Sequence, residues 1–236
     1  MRKLLAMALC LAAGLTHAAS FTKPEVTVDL PDGWVEVPDA VMQQFYDEMK
    51  RQAPAANIPK YNYAFQSAGG PPWLMYPYVL VKVSPTGRPT ETELMGLPAI
   101  DLNDKFKEKS GDWSNVMKDT TLGKMHYDKA ANVVWITSKS DVVNIGPVSG
   151  ISGIIPTEKG FVELHAYAKT PDFPGHLPTF ETVIKGARIA PDLRYKPSWV
   201  DSLPGPVGRI PFKGIGFLLA IGALVAAFLI YRRRQN

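Results

Sequence analysis

One predicted strand, from Gly160 to Lys169, carries ionisable and aromatic side chains at alternate positions. Its residues Glu163, His165 and Tyr167 alternate with apolar neighbours. Alternate residues of a β-strand point to the same face of a sheet. By the same spacing, the predicted strand that begins at Val133 contributes Trp135. If the two strands are neighbours and these faces coincide, the four side chains share one polar and aromatic surface.

This combination of residue types permits three interpretations. A carboxylate and an imidazole that converge can act as a general acid and base. The same side chains can form a surface for a ligand or a partner, or the half-solvated face of an ordinary sheet. The sequence leaves these alternatives open, and it assigns no residue a catalytic role.

Other motifs that carry chemistry are missing or incomplete. The stretch from Gly150 to Ile154 comes near a nucleophile elbow, but it lacks the final glycine and lies between predicted strands, where that motif needs a strand-to-helix turn. The sequence contains no phosphate loop and no dinucleotide fingerprint. Because His126, His165 and His176 have no partner at metal-ligand spacing, we predict no metal site and no cofactor.

The N-terminus has the order of a secretory signal peptide over residues 1–18. Two basic residues precede an apolar run, and small residues then predict cleavage after Ala18. The alternative is an uncleaved first anchor, for which the apolar run is short. The only cysteine, Cys10, lies inside this segment. A cleaved chain would therefore have no disulfide, no thiolate metal site and no cysteine nucleophile.

Near the C-terminus, residues 214–231 carry no charged side chain. A helix of this length is roughly 27 Å long, which matches the hydrocarbon thickness of a bilayer. Arg232 to Arg234 follow directly, and this charge places the tail of residues 232–236 in the cytoplasm. We therefore predict a bacterial inner-membrane protein whose globular domain, residues 20–195, lies in the periplasm. The Pro- and Gly-rich residues 196–213 form the tether between domain and anchor.

The predicted anchor contains small residues at a spacing that lets transmembrane helices approach closely. Gly216 and Ala220, and again Gly222 and Ala226, have the small-xxx-small pattern. This pattern predicts association with a second copy or with another membrane protein, in addition to the lipid bilayer itself. The alternative is that Gly and Ala are simply frequent in transmembrane helices.

The net charge of +4 does not indicate nucleic-acid binding. Six of the 26 basic residues belong to the signal or flank the anchor, which leaves 20 basic against 22 acidic residues in the exported part. A nucleic-acid-binding surface needs clustered basic residues. The sequence therefore predicts no nucleic-acid partner.

Apolar periodicity divides the domain into strands and helices. A helix after Pro38 carries Val41, Phe45 and Met49 at four-residue spacing, and Thr90 with Glu93 has the spacing of a capping box. Alternation and β-branched content predict the strands, and a further helix is expected with Pro178 near its start. The predicted strands are 25–30, 34–37, 61–66, 78–84, 133–138, 145–155 and 160–169.

The aromatic and glycine residues between these elements leave some choices open. Trp73, Tyr76 and Tyr78 indicate either a recognition patch, a membrane-interface ring set or a loop folded onto the core. Gly146, Gly150 and Gly153 within one predicted strand indicate bulges or bends. The fold class is therefore α+β, with a central antiparallel sheet and flanking helices.

The order of elements resembles the PsbP-like superfamily, which includes extrinsic photosystem subunits and DcrB-type bacterial envelope proteins. The resemblance is carried by residues 30–34 (LPDGW), 160–162 (GFV), 166–167 (AY) and 180–184 (FETVI), and it spans about residues 21 to 190. It implies an antiparallel sheet sandwiched between helices, and accessory or binding roles without catalysis. The C-terminal anchor and the helix after Pro38 depart from this pattern, and no functional residue is carried over.

Two functional hypotheses follow from the sequence. The first is a membrane-anchored periplasmic accessory or binding module of the bacterial cell envelope. The alternative is an envelope enzyme that uses the Glu163 and His165 sheet face.

Overall fold

The computed structural model describes residues 19–54, 58–67, 69–103 and 116–197. The predicted signal peptide, the anchor with its small-residue pattern (Gly216, Ala220, Gly222 and Ala226), the cytoplasmic tail and nearly all of the tether lie outside these residues. Within the described ranges, none of the helices combines the length and the apolar character needed to cross a membrane.

The described residues form eleven strands and three α-helices. The strands are β1 Ala19–Thr22, β2 Val26–Leu30, β3 Val35–Glu36, β4 Tyr63–Gln66, β5 Tyr78–Ser84, β6 Met117–Leu122, β7 His126–Asp128, β8 Val133–Val142, β9 Gly146–Thr157, β10 Gly160–Lys169 and β11 Arg188–Ile189. The helices are α1 Asp39–Gln52, α2 Glu91–Gly96, which continues as a 3-10 turn over Leu97–Ala99, and α3 Phe173–Lys185.

A large antiparallel sheet organises the domain. Its strand order is β3-β4-β5-β10-β9-β8-β6, and β7 pairs with β8 beside β6. A second, three-stranded sheet has the order β1-β2-β11. The mixed α+β class with antiparallel sheets is therefore confirmed. In addition, the sequence did not predict β1, β6, β7 or β11.

Each face of the large sheet is covered by its own apolar core. On one face, α3 and the small sheet pack against β5 and β10, with Phe180, Ile184 and Val28 fully buried. On the other face, α1 and the segment around α2 bury Phe45, Met49 and Leu94. One covering layer is thus helical, whereas the other combines a helix with a small sheet. The predicted architecture had helices alone on both sides of the sheet, so it differs from the observed one in this second layer.

Local sequence explains the ends of the first two helices. α1 follows Pro38 and places Asp39 in its first turn and Lys50 in its last, which suits the helix dipole. The capping box of α2 is confirmed. The Glu93 N–H donates to Thr90 Oγ1 at 3.2 Å, and the Thr90 N–H donates to Glu93 Oε2 at 2.8 Å.

The third helix differs from the prediction. α3 begins at Phe173, with Pro174 in its first turn, so Pro178 lies inside the helix instead of near its start. The Thr182 hydroxyl donates to the Pro178 carbonyl at 2.8 Å. The apolar side formed by Phe180, Val183 and Ile184 is buried, as the spacing predicted.

The glycines of β9 have a role other than bending the strand. β9 pairs without a break with β8 and β10 through Gly150 and Gly153, so the predicted bulges at these two positions are wrong. A Cβ atom at Gly150 would lie 2.7 Å from the Tyr167 ring, and one at Gly153 would overlap Ile184 of α3. These glycines therefore let large side chains pack directly on the sheet backbone.

Candidate functional site

The pairing register separates Trp135 from the other three predicted site residues. β9 lies between β8 and β10, so the two strands are not neighbours. Trp135 pairs with Gly153, which pairs with Leu164. Directly paired residues lie on the same face of a sheet. Trp135 therefore shares the face of Leu164, and the prediction that it joins His165 is wrong.

Glu163, His165 and Tyr167 do share one face, but that face is not a surface. Their exposed fractions are 1%, 0% and 0%. The residues that enclose them belong to the core beneath α1 and the loop before β5, including Tyr61 and Leu80. The prediction of a solvent-facing polar surface is therefore wrong, because elements on both sides cover β10.

Glu163 and His165 belong to a larger polar group, which we call the Glu163 cluster: Lys82, Ser84, Ser152, Glu163 and His165. Ser152 Oγ lies 2.8 Å from His165 Nδ1, and the opposite ring nitrogen, Nε2, lies 3.3 Å from Glu163 Oε2. The Ser84 hydroxyl donates to Glu163 Oε1, and Lys82 Nζ lies 3.6 Å from the same oxygen. Of the five side chains, that of Lys82 is the most exposed, at 23%.

The electrostatic balance keeps a carboxylate inside the domain. Burial raises the pKa of Glu163, whereas the facing His165, the Lys82 ammonium and the Ser84 hydroxyl lower it, and the resulting pKa lies below the ordinary value. Glu163 Oε2 and His165 Nε2 face each other without an aligned hydrogen bond, and neither atom has another partner among the described residues. The attraction across this 3.3 Å gap is therefore electrostatic in the main.

The chemistry of the atoms favours one proton position. An ionised carboxylate can only accept a hydrogen bond. A proton on His165 Nε2 therefore points towards Glu163, and Nδ1 remains free to accept the hydroxyl proton of Ser152. Serine, histidine and glutamate in this order resemble the groups of a nucleophilic triad. However, Ser152 is 1% exposed, so a substrate has no route to its hydroxyl in this conformation.

Aromatic rings hold the His165 ring in place. Tyr61 contacts it edge-on, with ring centroids 5.8 Å apart. Tyr46 of α1 fixes Tyr61 through its hydroxyl, which accepts the Tyr61 N–H at 2.7 Å and donates to the Tyr61 carbonyl at 3.2 Å. Burial raises the pKa of Tyr46 to about 12, so this hydroxyl stays protonated at neutral pH.

The aromatic loop before β5 folds onto the same core, which was one of the three interpretations of its sequence. Leu74 and Tyr78 are fully buried, and Trp73 and Tyr76 pack partly buried against them. Tyr76 stacks on Tyr78 with ring centroids 5.0 Å apart. The loop therefore helps to close the face that contains the Glu163 cluster.

The sequence did not predict three members of the Glu163 cluster, which are Ser152, Lys82 and Ser84. Ser152 lies in the Gly150–Ile154 stretch that failed as a nucleophile elbow. The tight turn after Thr157 pairs that residue with Gly160, and counting back along this hairpin places Ser152 opposite His165. The sequence therefore contained a signal for Ser152. Lys82 and Ser84 come from β5, whose pairing with β10 is long-range and leaves no such local signal.

A second feature lies at the end of the sheet where β10 ends. It is a depression of about 170 Å³, with a mixed polar and apolar lining. The lining residues are Met75, Tyr76, Pro77, Ala168, Lys169, Asp172 and His176. Within the part of the chain that the structure describes, no group of three or more His, Cys, Asp or Glu residues could hold a metal ion.

Fold and site together define an antiparallel α+β domain with a largely buried polar cluster in one of its two cores. No family model and no curated protein matches the chain. The chain is similar to the solution structure of cyanobacterial PsbP (CyanoP) from Synechocystis sp. PCC 6803. The match has 13% sequence identity and a TM-score of 0.46, and it covers 77% of this chain and 97% of the other. A similarity this distant carries no argument about function.

Acid should weaken the domain through Glu163. Because the pKa of Glu163 is lowered from 4.5 in the folded state, the unfolded chain takes up the proton first as the pH falls. Its contribution to stability is therefore complete above about pH 4.5 and is lost as the pH falls through the folded-state pKa. We expect Glu163→Gln to flatten the dependence of the unfolding free energy on pH below about pH 5, measured by urea unfolding.

A second variant tests the same balance of charges. Lys82 lowers the pKa of Glu163. Lys82→Met should therefore move the acid-induced loss of stability to higher pH. An unchanged acid dependence in Glu163→Gln would show that other groups dominate this pH range.

Proposed function

We propose that the protein is a membrane-anchored accessory or binding module of the bacterial cell envelope, PsbP-like in its architecture, whose sheet performs no catalysis. The domain lies in the periplasm, and the C-terminal helix holds it at the inner membrane. The signal-like N-terminus, the apolar residues 214–231 and the arginines after them support this topology.

One observation carries the non-catalytic part of the proposal. Glu163 and His165 are the acid and base pair that the sequence offered for chemistry, and the structure encloses both side chains in the core. Their partners are Ser152, Ser84 and Lys82, so the charge of Glu163 is offset internally. A group used in this way stabilises and specifies the packing of a domain. The proposal therefore assigns the Glu163 cluster to the fold and leaves the outer surface for partner contacts.

Reporter fusions test the location of the domain. A phosphatase that is active only in the periplasm should be active when fused after Lys196, and inactive when fused after Asn236. The physical reason is that the apolar residues 214–231 stop transfer and the three arginines that follow remain in the cytoplasm. The control is an Asn236 fusion in which a polar linker replaces residues 214–231, and it should be active in the periplasm. Activity of the Asn236 fusion in the unaltered chain would contradict the topology.

A further inference from the structure

The segment by which the chain leaves the domain is fixed to the sheet. The Lys196 N–H donates to Glu158 Oε1 at 2.8 Å, and Arg88 Nη2 donates to the Lys196 carbonyl at 2.6 Å. Arg88 also pairs with Glu158 at 3.2 Å and lies 4.9 Å above the Tyr195 ring. The Glu158 N–H donates to the Leu193 carbonyl at 2.9 Å. The direction in which the chain departs is therefore set by the fold as far as Lys196.

These contacts define one end of the domain, which we call the exit end: residues 85–88, 157–159 and 192–196. The Gly87 N–H donates to the Lys159 carbonyl at 3.0 Å, and Thr157 forms a bridge with Arg194. The exit end therefore joins the loop after β5, the β9–β10 turn and the departing chain. The depression near Lys169 lies at the other end of β10, roughly 30 Å away for a ten-residue strand.

The exposed charges of the exit end are mostly positive. Lys159, Arg194 and Lys196 are exposed, and within the described ranges their side chains form no ion pair. The acidic groups of this end are Glu158, whose charge Arg88 offsets, and the exposed Asp192. The exit end therefore presents an excess of about two positive charges on a domain whose exported part is close to neutral.

We propose that the exit end is a docking surface for anionic phospholipid headgroups of the membrane that anchors the protein. This inference rests on the proposed anchoring, because the chain that leaves at Lys196 leads within 17 residues to the apolar residues 214–231. The bilayer is therefore the extended surface closest to these cations. Each basic residue near an anionic membrane strengthens its association about fivefold. Three such residues contribute about a hundredfold together, and the negative charge of Asp192 reduces this by about fivefold.

Docking would give the domain a fixed orientation relative to the membrane. The exit end faces the headgroups, and the end with Met75, Asp172 and His176 points into the periplasm. The interaction is electrostatic and solvent-exposed, so salt screens it, with a Debye length of about 3 Å at 1 M.

Energy transfer in the full-length chain tests this orientation. The protein, with Cys10→Ser, is reconstituted in nanodiscs that carry acceptor dyes on lipid headgroups. A donor dye is attached at Thr86→Cys on the exit end or, as a control, at Gly175→Cys on α3, where both positions are exposed. We expect transfer from position 86 to rise when phosphatidylglycerol is added to phosphatidylcholine, and to fall again at about 1 M salt. Transfer from position 175 should stay low.

Charge variants identify the cause of any transfer. Replacing Lys159, Arg194 and Lys196 with Gln should abolish the response to phosphatidylglycerol, with about a hundredfold loss in the ratio of docked to free domain. The matched control replaces Lys118, Lys139 and Lys185 with Gln, three exposed cations outside the exit end, and it should keep the response. Thermal melting verifies that both variants remain folded.

The outcomes separate this inference from the proposed anchoring. Equal transfer in neutral and anionic nanodiscs, or an unchanged response in the exit-end variant, would overturn lipid docking while the anchor remained intact. Lipid docking would also be overturned if replacing the three cations abolished crosslinking to an acidic protein and left the response to phosphatidylglycerol unchanged. Failure of the wild-type chain to stay in membranes after alkaline extraction would instead overturn the anchoring itself.

Discussion

Replacing His165 with alanine should lower the free energy of unfolding by about 3 to 5 kcal/mol. The substitution leaves the Glu163 carboxylate buried without the ring that faces it, and it removes the acceptor of the Ser152 hydroxyl. It also opens a cavity beside Tyr61, whose ring packs on the imidazole. Urea unfolding followed by tryptophan fluorescence measures the loss. A His165 side chain on a solvent-facing surface, which the alternation in the sequence indicated, would contribute much less to stability.

Two controls isolate the buried pair. His126→Ala removes an exposed histidine and should change stability by less than about 0.5 kcal/mol. Glu163→Leu combined with His165→Leu removes both facing polar side chains, and should recover much of the stability lost in the single variant. A His165→Ala variant that keeps its stability but loses physiological activity would contradict the structural role, and would favour the envelope-enzyme hypothesis.

Gly153→Val should destabilise the domain by about 3 kcal/mol, because it forces side-chain atoms into a filled space. A Cβ atom at position 153 would overlap Ile184 of α3 and lie 3.1 Å from Val133. Helix and sheet must then separate, which weakens the core around Phe180. The midpoint of thermal or urea unfolding reports the change.

A glycine on the surface provides the matched control. Gly175 of α3 has no atom within 4 Å of an added Cβ. Gly175→Ala should therefore stabilise the domain by about 0.5 to 1 kcal/mol, since alanine loses less backbone entropy in a helix. The double variant Gly153→Val with Ile184→Ala should lose less unfolding free energy than the sum of the losses in the two single variants. Full additivity would show that the two residues do not compete for the same space.

Local sequence patterns predict many elements of the fold. The α1 and β10 segments were predicted from spacing alone, and the Thr90 capping box was visible in its residues. The start of α3 was missed because Pro174, Gly175 and Pro178 have loop-like composition, whereas contacts of its apolar side with the sheet decide the outcome. The bulges predicted at Gly150 and Gly153 were wrong for a related reason. The Tyr167 ring and the Ile184 methyl group that occupy the space beside these glycines come from other elements of the chain.

The candidate site shows where sequence reasoning fails. Polar residues alternating with apolar ones along a strand indicate a half-solvated face. In β10 the polar positions instead face a second core. There, residues from β5 offset the charge of Glu163, and Ser152 of β9 pairs with His165. An alternating pattern of polar and apolar residues is the same whether the polar side chains face water or buried polar partners. The membrane anchor and its small-residue pattern, by contrast, stay predictions.

The small sheet has a consequence for how the domain is made. β2 is paired on one side with β1 and on the other with β11, so that Thr27 near the beginning meets Arg188 near the end. In an exported chain, this sheet cannot close until the last strand has crossed the membrane. Until then, the apolar side of β5 and β10 lacks part of its cover. Such long-range pairing folds slowly. If the chain is exported as proposed, the incompletely covered domain is exposed to chaperones and proteases during that period.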